Sequence, residues 1–226
     1  MNPVPFFVGY DRRESIGYHV FCHSVMDRTK LDVSFTPMRG NGSKQEGSST
    51  AFDHTRWDVP RLCGYSGVAI WAECDMLCRA DIGELLETFD TRYDVMVAKH
   101  DYQTKFPVKF LDQTNENYPR KNWSSMMVIN CRAAVWQRID DLRFRKLSDL
   151  RVLHGFPETV EGVRLFDPAR VGALDLGWNW LVGEYLHNPQ APLVHFTVGL
   201  PCFQEYARCD YADEWRAELK KMQTPS

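Results

Sequence analysis

The sequence predicts an α/β fold with a central, mostly parallel mixed sheet that is flanked by helices. The first observation is the order strand, helix, strand over residues 5–9, 15–26 and 31–38, because this order builds parallel sheets. The second is the run GVAIWAE at 67–73, whose consecutive apolar residues are typical of a strand covered on both faces. The third is size: 226 residues, 44% of them hydrophobic, are enough for one substantial core.

The first elements follow from short patterns. PFFVG at 5–9 is an apolar run that ends at a glycine, as a buried strand does. Ser15 is the expected N-cap of the first helix, because apolar residues after it share one helical face. LDVSFTPM at 31–38 alternates apolar and polar residues and predicts a second strand. The polar, glycine-rich segment 39–50 is expected to be a mobile loop that closes over a ligand.

The later elements are predicted in the same way. The segment 52–65 is expected to be helical or irregular and to break at Pro60. An amphipathic helix at 80–89 has Asp81 near its start. The sequence shows no repeat or interior linker, and its last dozen residues are expected to form a solvated helix and tail. Further predicted elements are strands at 93–100 and 124–130, a helix at 132–142, and core segments at 178–186 and 193–197.

Charge and cysteine content narrow the class of function. The net charge of −3 supplies no overall basic field for nucleic-acid binding. The seven cysteines have no paired spacing, so we expect reduced thiols in a cytoplasmic protein. The first residues lack the basic and apolar regions of a signal peptide, and no run of 18 apolar residues predicts a membrane span.

Two acids stand at the carboxyl end of the 67–73 strand, where parallel sheets bind their ligands. Glu73 and Asp75 are two positions apart, and in extended backbone such residues point to the same side. Their carboxylates repel each other unless a cation lies between them, and Mg²⁺ or Mn²⁺ suits oxygen ligands. The alternative is that the acids cap the following turn or pair with Arg79.

The segment VHFTVGLP at 194–201 adds two candidates. His195 directly follows an apolar run and can bring an imidazole nitrogen to the same ion. Gly199 has no side chain and would let the backbone approach a diphosphate closely. A histidine after a strand is more often structural than a metal ligand, but the neighbouring acid pair favours the metal hypothesis.

Five segments occur in an order that is typical of one enzyme family, and the order is more specific than any single motif. FFVGYD, IWAECDML and VHFTVGLP match its nucleotide strand, its metal motif and its late histidine segment. TRWDVPRLCGYSG precedes the metal strand, and NWSSMMVIN begins where that family lines its sugar pocket. The five segments lie at 6–11, 55–67, 70–77, 122–130 and 194–201.

Over roughly residues 5–205 the chain resembles nucleotide-sugar glycosyltransferases of the GT-A fold, most of all the glycogenin and galactosyltransferase-like group. The resemblance implies a metal-dependent transfer of a sugar from a nucleoside-diphosphate sugar, with UDP as the expected nucleotide. It implies Mn²⁺ or Mg²⁺ as cofactor and an acceptor that is a glycan, a protein, a lipid or a modified nucleic acid. The alternative is a non-catalytic nucleotide-binding α/β module.

The resemblance also implies how the chain is divided and which residues act. It implies one domain over 1–226, with a Rossmann-like nucleotide and metal half at 1–100, a sugar and acceptor half at 101–205, and a C-terminal helix and tail at 206–226. Glu73, Asp75 and His195 are the implied metal ligands. Donor contacts are implied for Gly9, Tyr10, Asp11, Arg56, Arg61, Glu73, Cys74 and Gly199, substrate contacts for Trp123, Ser124, Trp178 and Asn179, and catalytic roles for Asp112, Asn122 and Asp175.

Some of these roles have structural alternatives. Tyr10 stacks on the base or instead lies over the first helix, Arg56 and Arg61 touch diphosphate or are surface charges, and Trp178 is a sugar platform or core. Asp112 or Asp175 would be required as general base if the reaction inverted the anomeric carbon.

Two positions depart from the family pattern. Glu73 stands where the family usually has Asp, so a metal contact through water or ribose is an alternative to direct ligation. Leu200 stands where a lysine often contacts the diphosphate. The compensating positive charge is expected from Arg12, Arg13, Arg56, Arg61 or Lys121.

Two other classes fit the sequence less well. HVFCH at 19–23 places two histidines and a cysteine on neighbouring helical positions, but no further zinc ligands cluster with them. A dinucleotide-binding dehydrogenase requires G-x-G-x-x-G after the first strand, and GYDRRESIG does not supply it.

Overall fold

A central sheet organises the chain, and the structure, a computed structural model, describes residues 3–40, 50–144 and 150–224. Most of the predicted loop at 39–50 lies outside these ranges. The strands are β1 (Val4–Gly9), β2 (Val33–Met38), β3 (Val68–Ala72), β4 (Met76–Cys78), β5 (Val95–Ala98), β6 (Val108–Lys109), β7 (Gln113–Thr114), β8 (Met126–Asn130), β9 (Thr159–Val160), β10 (Val163–Arg164), β11 (Val171–Leu174), β12 (Trp180–Leu181) and β13 (Leu193–His195). The α-helices are α1 (Ser15–Met26), α2 (Val59–Leu62), α3 (Ile82–Glu87), α4 (Val135–Phe144) and α5 (Ala212–Gln223).

The central sheet has six strands in the spatial order β2-β1-β3-β8-β5-β11. β1 pairs in parallel with β2 and β3, and β11 pairs in parallel with β5. β8 runs the other way, because it pairs antiparallel with both β3 and β5. The prediction of a mostly parallel mixed sheet is therefore confirmed.

Apolar side chains cover both faces of this sheet. On one face Phe6 of β1 meets Phe21 of α1 edge to face, with ring centroids 5.8 Å apart. Trp71 of β3 is paired with Phe7, so it lies on the opposite face, where its ring is 6.2 Å from that of Phe52. Burial on both faces explains why β3 reads as a continuous apolar run.

The helix starts agree only in part with the sequence prediction. Asp81 caps α3 as expected and accepts a hydrogen bond from the amide of Gly83 at 2.9 Å. Ser15 is the first residue of α1 and not its N-cap. A short helical turn at Arg12–Glu14 precedes α1, and Asp11 caps that turn by accepting from the amide of Arg13 at 2.9 Å. The predicted break at Pro60 is also wrong: Pro60 lies in the first turn of α2, where a missing N–H is tolerated.

A second, three-stranded sheet joins β12, β13 and β4. β13 pairs antiparallel with β4, so that His195 lies opposite Met76. The amide of Phe196 donates to the carbonyl oxygen of Asp75 at 2.8 Å, which extends this pairing by one bond. The small sheet therefore fixes the late histidine segment beside the acid pair.

The C-terminal helix is buried on one face, which corrects the prediction of a solvated helix. Trp215 and Glu218 of α5 are each 1% exposed. Glu218 accepts from the guanidinium of Arg28 at 2.8 Å, and its other oxygen lies 2.6 Å from Nδ1 of His23. This contact fastens α5 to α1 and gives His23 a structural role.

The helices are short relative to a lipid bilayer. The longest, α1 and α5, have 12 residues each. Within the described ranges no helix has the length and apolarity that crossing a membrane requires.

The ion pairs of Glu218 predict a pH-dependent contribution to stability. Glu218→Gln removes the charge that Arg28 and His23 face, and should lower the free energy of unfolding by about 2 kcal/mol at neutral pH. Burial alone would raise the pKa of Glu218, but hydrogen bonds from Arg28 and His23 hold it below its ordinary value. The wild-type advantage should therefore be complete above about pH 4.3 and be lost as the pH falls below it.

Urea unfolding of both proteins at about pH 7 and about pH 3 measures this difference. Glu205→Gln, at an exposed position, is the matched control and should change stability by less than about 0.5 kcal/mol. A difference between wild type and Glu218→Gln that stays undiminished at the lower pH would contradict the ion-pair assignment.

Candidate metal and nucleotide site

Glu73, Asp75 and His195 meet at the edge of the central sheet where β1 and β3 end. One ligand atom from each side chain lies within 4.8 Å of the others. Nε2 of His195 is 3.3 Å from Oδ1 of Asp75 and 3.5 Å from Oε2 of Glu73. The structure thus brings together the three side chains that were predicted to share one ion.

Asn179 determines which nitrogen of His195 faces the acids. The amide nitrogen of Asn179 donates to the carbonyl oxygen of Asn122 at 3.0 Å and to Oγ of Ser125 at 2.9 Å. Its oxygen is therefore directed at Nδ1 of His195, 2.9 Å away, which must carry a proton to donate. In the neutral ring Nε2 then presents its lone pair to the carboxylates.

Two buried atoms in this cluster have no hydrogen-bond partner among the described residues: Nε2 of His195 and Oδ1 of Asp75. Burial alone would lower the pKa of His195, but the charges of Asp75 and Glu73 outweigh it and hold that pKa above its ordinary value. A divalent ion would satisfy the same atoms, with two carboxylate oxygens and one imidazole nitrogen. The donor set fits Mn²⁺ well and Mg²⁺ less well, because Mg²⁺ prefers oxygen alone.

Arg56 holds Glu73 in place. Its guanidinium donates to Oε1 of Glu73 at 2.7 Å and to the carbonyl oxygen of Ser124 at 2.6 Å, and it lies over the ring of Trp71. Arg56 is only 2% exposed, so the alternative of a surface charge is wrong. Arg79 pairs with Glu214 at 2.7 Å and is not the partner of the acid pair.

A cavity of about 740 Å³, a size typical of small-molecule sites, is lined by both acidic residues of the triad. Asn122, predicted as catalytic, and Ser124, predicted as a substrate contact, both line it. Asn122 has a left-handed backbone with φ 63°, and its amide donates to Oγ1 of Thr197 at 3.0 Å. Trp123 packs beside these residues, with its indole nitrogen donating to the carbonyl oxygen of His100 at 2.7 Å.

A series of polar contacts along the cavity wall was not predicted from the sequence. Nδ1 of His154 lies 2.6 Å from Oγ of Ser124, and its Nε2 lies 3.2 Å from Oδ1 of Asp53. Asp53 also pairs with Arg56 at 3.2 Å. His154 falls in a region without periodic pattern, so no sequence signal marked it.

Glu14 is a second cavity residue that the sequence analysis missed. It is 1% exposed, and its Oε1 has no hydrogen-bond partner among the described residues. Burial first, and then the charges of Asp75 and Asp11, raise the pKa of Glu14 well above its ordinary value. Glu14 immediately precedes α1. Because Ser15 was predicted to be the N-cap, no role was predicted for Glu14.

Several predicted site residues do not line the cavity, and four of these lie at the surface, in a turn or in the core. Arg61 pairs with Asp58 on the surface at 2.7 Å. Asp175 accepts from the amide of Gly177 at 2.8 Å and caps a short turn, a role that leaves its carboxylate engaged. The other two are Asp112, which is exposed in the turn between β6 and β7, and Trp178, which is 6% exposed in the main core.

The predicted donor residues at the end of β1 are not among the residues that line the cavity. A Cβ on Gly9 would lie 2.5 Å from the ring of Phe52, which lines the cavity, so Gly9 makes room for that ring. Tyr10 meets Tyr18 of α1 edge to face at 5.4 Å, in agreement with the alternative that it lies over the first helix. Asp11 accepts from the guanidinium of Arg13 at 2.6 Å.

Cys74 and Gly199, both predicted as donor contacts, are packed against other parts of the protein. Cys74 is fully buried, and burial raises the pKa of its thiol well above the ordinary value. Gly199 lies against the ring of Tyr206. A side chain at this position would clash with that ring, because a Cβ would overlap its atoms. Gly199 thus permits close packing of Tyr206, a contact that the sequence motif alone does not show.

Solved structures of glycosyltransferases have the same fold. The galactosyltransferase LgtC, in complex with donor and acceptor sugar analogues, superimposes with a TM-score of 0.63 at 8% identity, over 99% of this chain and 98% of that one. GlyE from Streptococcus pneumoniae has a TM-score of 0.65 at 10% identity, over 97% of this chain. The bifunctional glycosyltransferase WbbM has a TM-score of 0.63 at 15% identity, over 96% of this chain. This chain spans 60% of GlyE and 49% of WbbM.

These similarities, with the sheet order and the acid pair at its edge, define a GT-A fold of the kind found in nucleotide-sugar glycosyltransferases. No sequence-family profile matches the chain. The chain is 32% identical over 234 aligned positions to protein CDI of Arabidopsis thaliana, covering 97% of this chain and 87% of that protein. It therefore belongs to the same family as protein CDI.

The triad predicts a measurable divalent-ion site. Asp75→Asn removes the charge that faces Nε2 of His195 and should weaken Mn²⁺ binding by about a hundredfold or more, because a ligand is lost. Titration of free Mn²⁺ by electron paramagnetic resonance measures the affinity. Asp112→Asn is the matched control, since it removes the same charge at an exposed turn and should leave the affinity unchanged. Equal affinity in wild type and Asp75→Asn would refute the site.

Proposed function

We propose that the protein is a metal-dependent glycosyltransferase that moves a sugar from a nucleoside-diphosphate sugar, with UDP as the nucleotide, to an unidentified acceptor. One observation carries the proposal: Asp75 lines the cavity of a GT-A fold, and its buried Oδ1 lies 3.3 Å from buried Nε2 of His195, with neither atom in a hydrogen bond to the described residues. The chain superimposes on solved glycosyltransferases over nearly its whole length, and its family relative matches 97% of it.

Asp75 and His195 would hold the ion directly, and Glu73 would hold it through Oε2, the oxygen that Arg56 leaves free. When bound, such an ion stabilises the negative charge that develops on the departing diphosphate. Asn179 keeps Nδ1 of His195 protonated, so that its other nitrogen remains a ligand. The contacts of Asn179 and Arg56 hold His195 and Glu73 in these positions.

The remaining cavity residues bind and orient the donor. Phe52 packs against Gly9 at the end of β1, so the base and ribose are expected along this side of the cavity. Ser124 and His154 offer a hydroxyl and an imidazole to the hydroxyl groups of the sugar. The side chain of Asn122 lies on the same wall and can position the sugar through its amide.

The structural relatives support the donor assignment by analogy. The LgtC structure holds donor and acceptor sugar analogues, and this chain covers almost its full length. A nucleotide-binding module without transfer activity remains the competing function, and the two differ in whether bound UDP-sugar is consumed.

Thermal unfolding with a panel of nucleotide sugars, with and without Mn²⁺, tests the proposal. A UDP-sugar at 100 times its dissociation constant should stabilise the protein by roughly 2.7 kcal/mol, and only when Mn²⁺ is present. Release of UDP from that sugar should follow, with Asp75→Asn showing neither effect and Asp112→Asn showing both. Stabilisation without UDP release in any acceptor mixture would favour the binding module, and no stabilisation by any nucleotide sugar would refute the proposal.

A further inference from the structure

A hairpin places Lys109 at the cavity. Lys109 ends β6 and lies opposite Gln113 of β7. The chain reverses at Leu111 and Asp112, which have left-handed backbones with φ 56° and 55°. Lys109 is half-buried and lines the same cavity as Glu73 and Asp75.

The hairpin is fastened to the segment that carries His195. The amide of Phe110 donates to the carbonyl oxygen of Val198 at 2.8 Å. The ring of Phe110 stacks on that of Phe203, with centroids 5.6 Å apart and planes at 23°. Because Phe110 is 4% exposed, these contacts fix the backbone of its neighbour, Lys109, beside the metal triad.

Two further cations that line the cavity, Arg56 and Lys121, are already engaged with protein groups. Arg56 donates to Glu73, Asp53 and Ser124. Lys121 donates to Oδ1 of Asn115 at 2.6 Å and to the carbonyl oxygen of Glu116 at 2.5 Å.

Lys109 differs from these cations. Its ammonium makes no hydrogen bond or ion pair with any residue that the structure describes. The positive charge of Lys109 acts on Lys121, which lines the same cavity. Burial is the larger cause and repulsion by Lys109 the second, and together they lower the pKa of Lys121 to about 8. The ammonium of Lys109 is therefore available to a ligand without breaking an existing contact.

The segment after β13 offers no cation of its own at this place. Leu200 is fully buried in an apolar cluster with Val20 of α1 and Val194 of β13, and it packs against Gly17 of α1. A nucleoside diphosphate carries more negative charge than one divalent ion neutralises, so a lysine on the opposite side of the diphosphate would lower its binding free energy.

We propose that Lys109 is the diphosphate-binding cation of this site and makes it prefer nucleoside diphosphates to monophosphates. The inference rests on the proposed function and deepens it. A compact ammonium on a fixed hairpin reaches the terminal phosphate of UDP, whereas UMP lacks that phosphate. Lys109 would also stabilise the diphosphate as it leaves the sugar.

Isothermal titration of UDP and UMP, both with Mn²⁺, tests the proposal on Lys109→Met. Loss of a charged contact should weaken UDP binding about tenfold or more and UMP binding less than about twofold. Lys109→Arg should recover most of the UDP affinity. Lys30→Met removes the same charge at an exposed position and should bind both nucleotides as wild type does.

The outcomes separate this inference from the proposed function. If wild type fails to bind UDP with Mn²⁺, the proposed function itself is refuted, and the inference with it. If wild type binds UDP and releases it from UDP-sugar, but Lys109→Met has an unchanged ratio of UDP to UMP affinity, Lys109 alone is ruled out. Thermal unfolding of each variant confirms that it is folded, and an unstable Lys109→Met is replaced by Lys109→Gln.

Discussion

Electron-rich atoms of Glu73, Asp75 and His195 face one another across a buried gap, and the candidate site depends on what lies between them. Nε2 of His195 is 3.3 Å from one carboxylate oxygen and 3.5 Å from the other. In a neutral ring this placement is repulsive, and burial makes the repulsion stronger. A proton or a divalent ion between these atoms removes the repulsion.

The fold maintains this arrangement through contacts between distant parts of the chain. β13 pairs with β4, which sets His195 beside Asp75, and Asn179 orients the imidazole. Arg56 restrains Glu73 from the other side. The hairpin of β6 and β7 is tied to the same late segment through Phe110, so the cavity wall and the triad form one connected unit.

Much of the fold was predictable from the sequence because its strands are apolar on consecutive positions and its motifs occur in a known order. Asp75 and His195 could be proposed as neighbours for that reason. The partners of Arg56 could not, because Glu73 and Ser124 are separated from it along the chain. Asp175 was wrongly predicted as a catalytic residue. The glycine two positions later is typical of a local turn, and in the structure the carboxylate of Asp175 accepts from the amide of Gly177 in such a turn.

Anomalous diffraction from crystals grown with Mn²⁺ tests the role of the triad most directly. Data collected at the manganese absorption edge should show one strong peak within bonding distance of Oδ1 of Asp75 and Nε2 of His195. A peak at another position, or an empty gap with His195 protonated and bonded to Asp75, would contradict a metal site at this sheet edge.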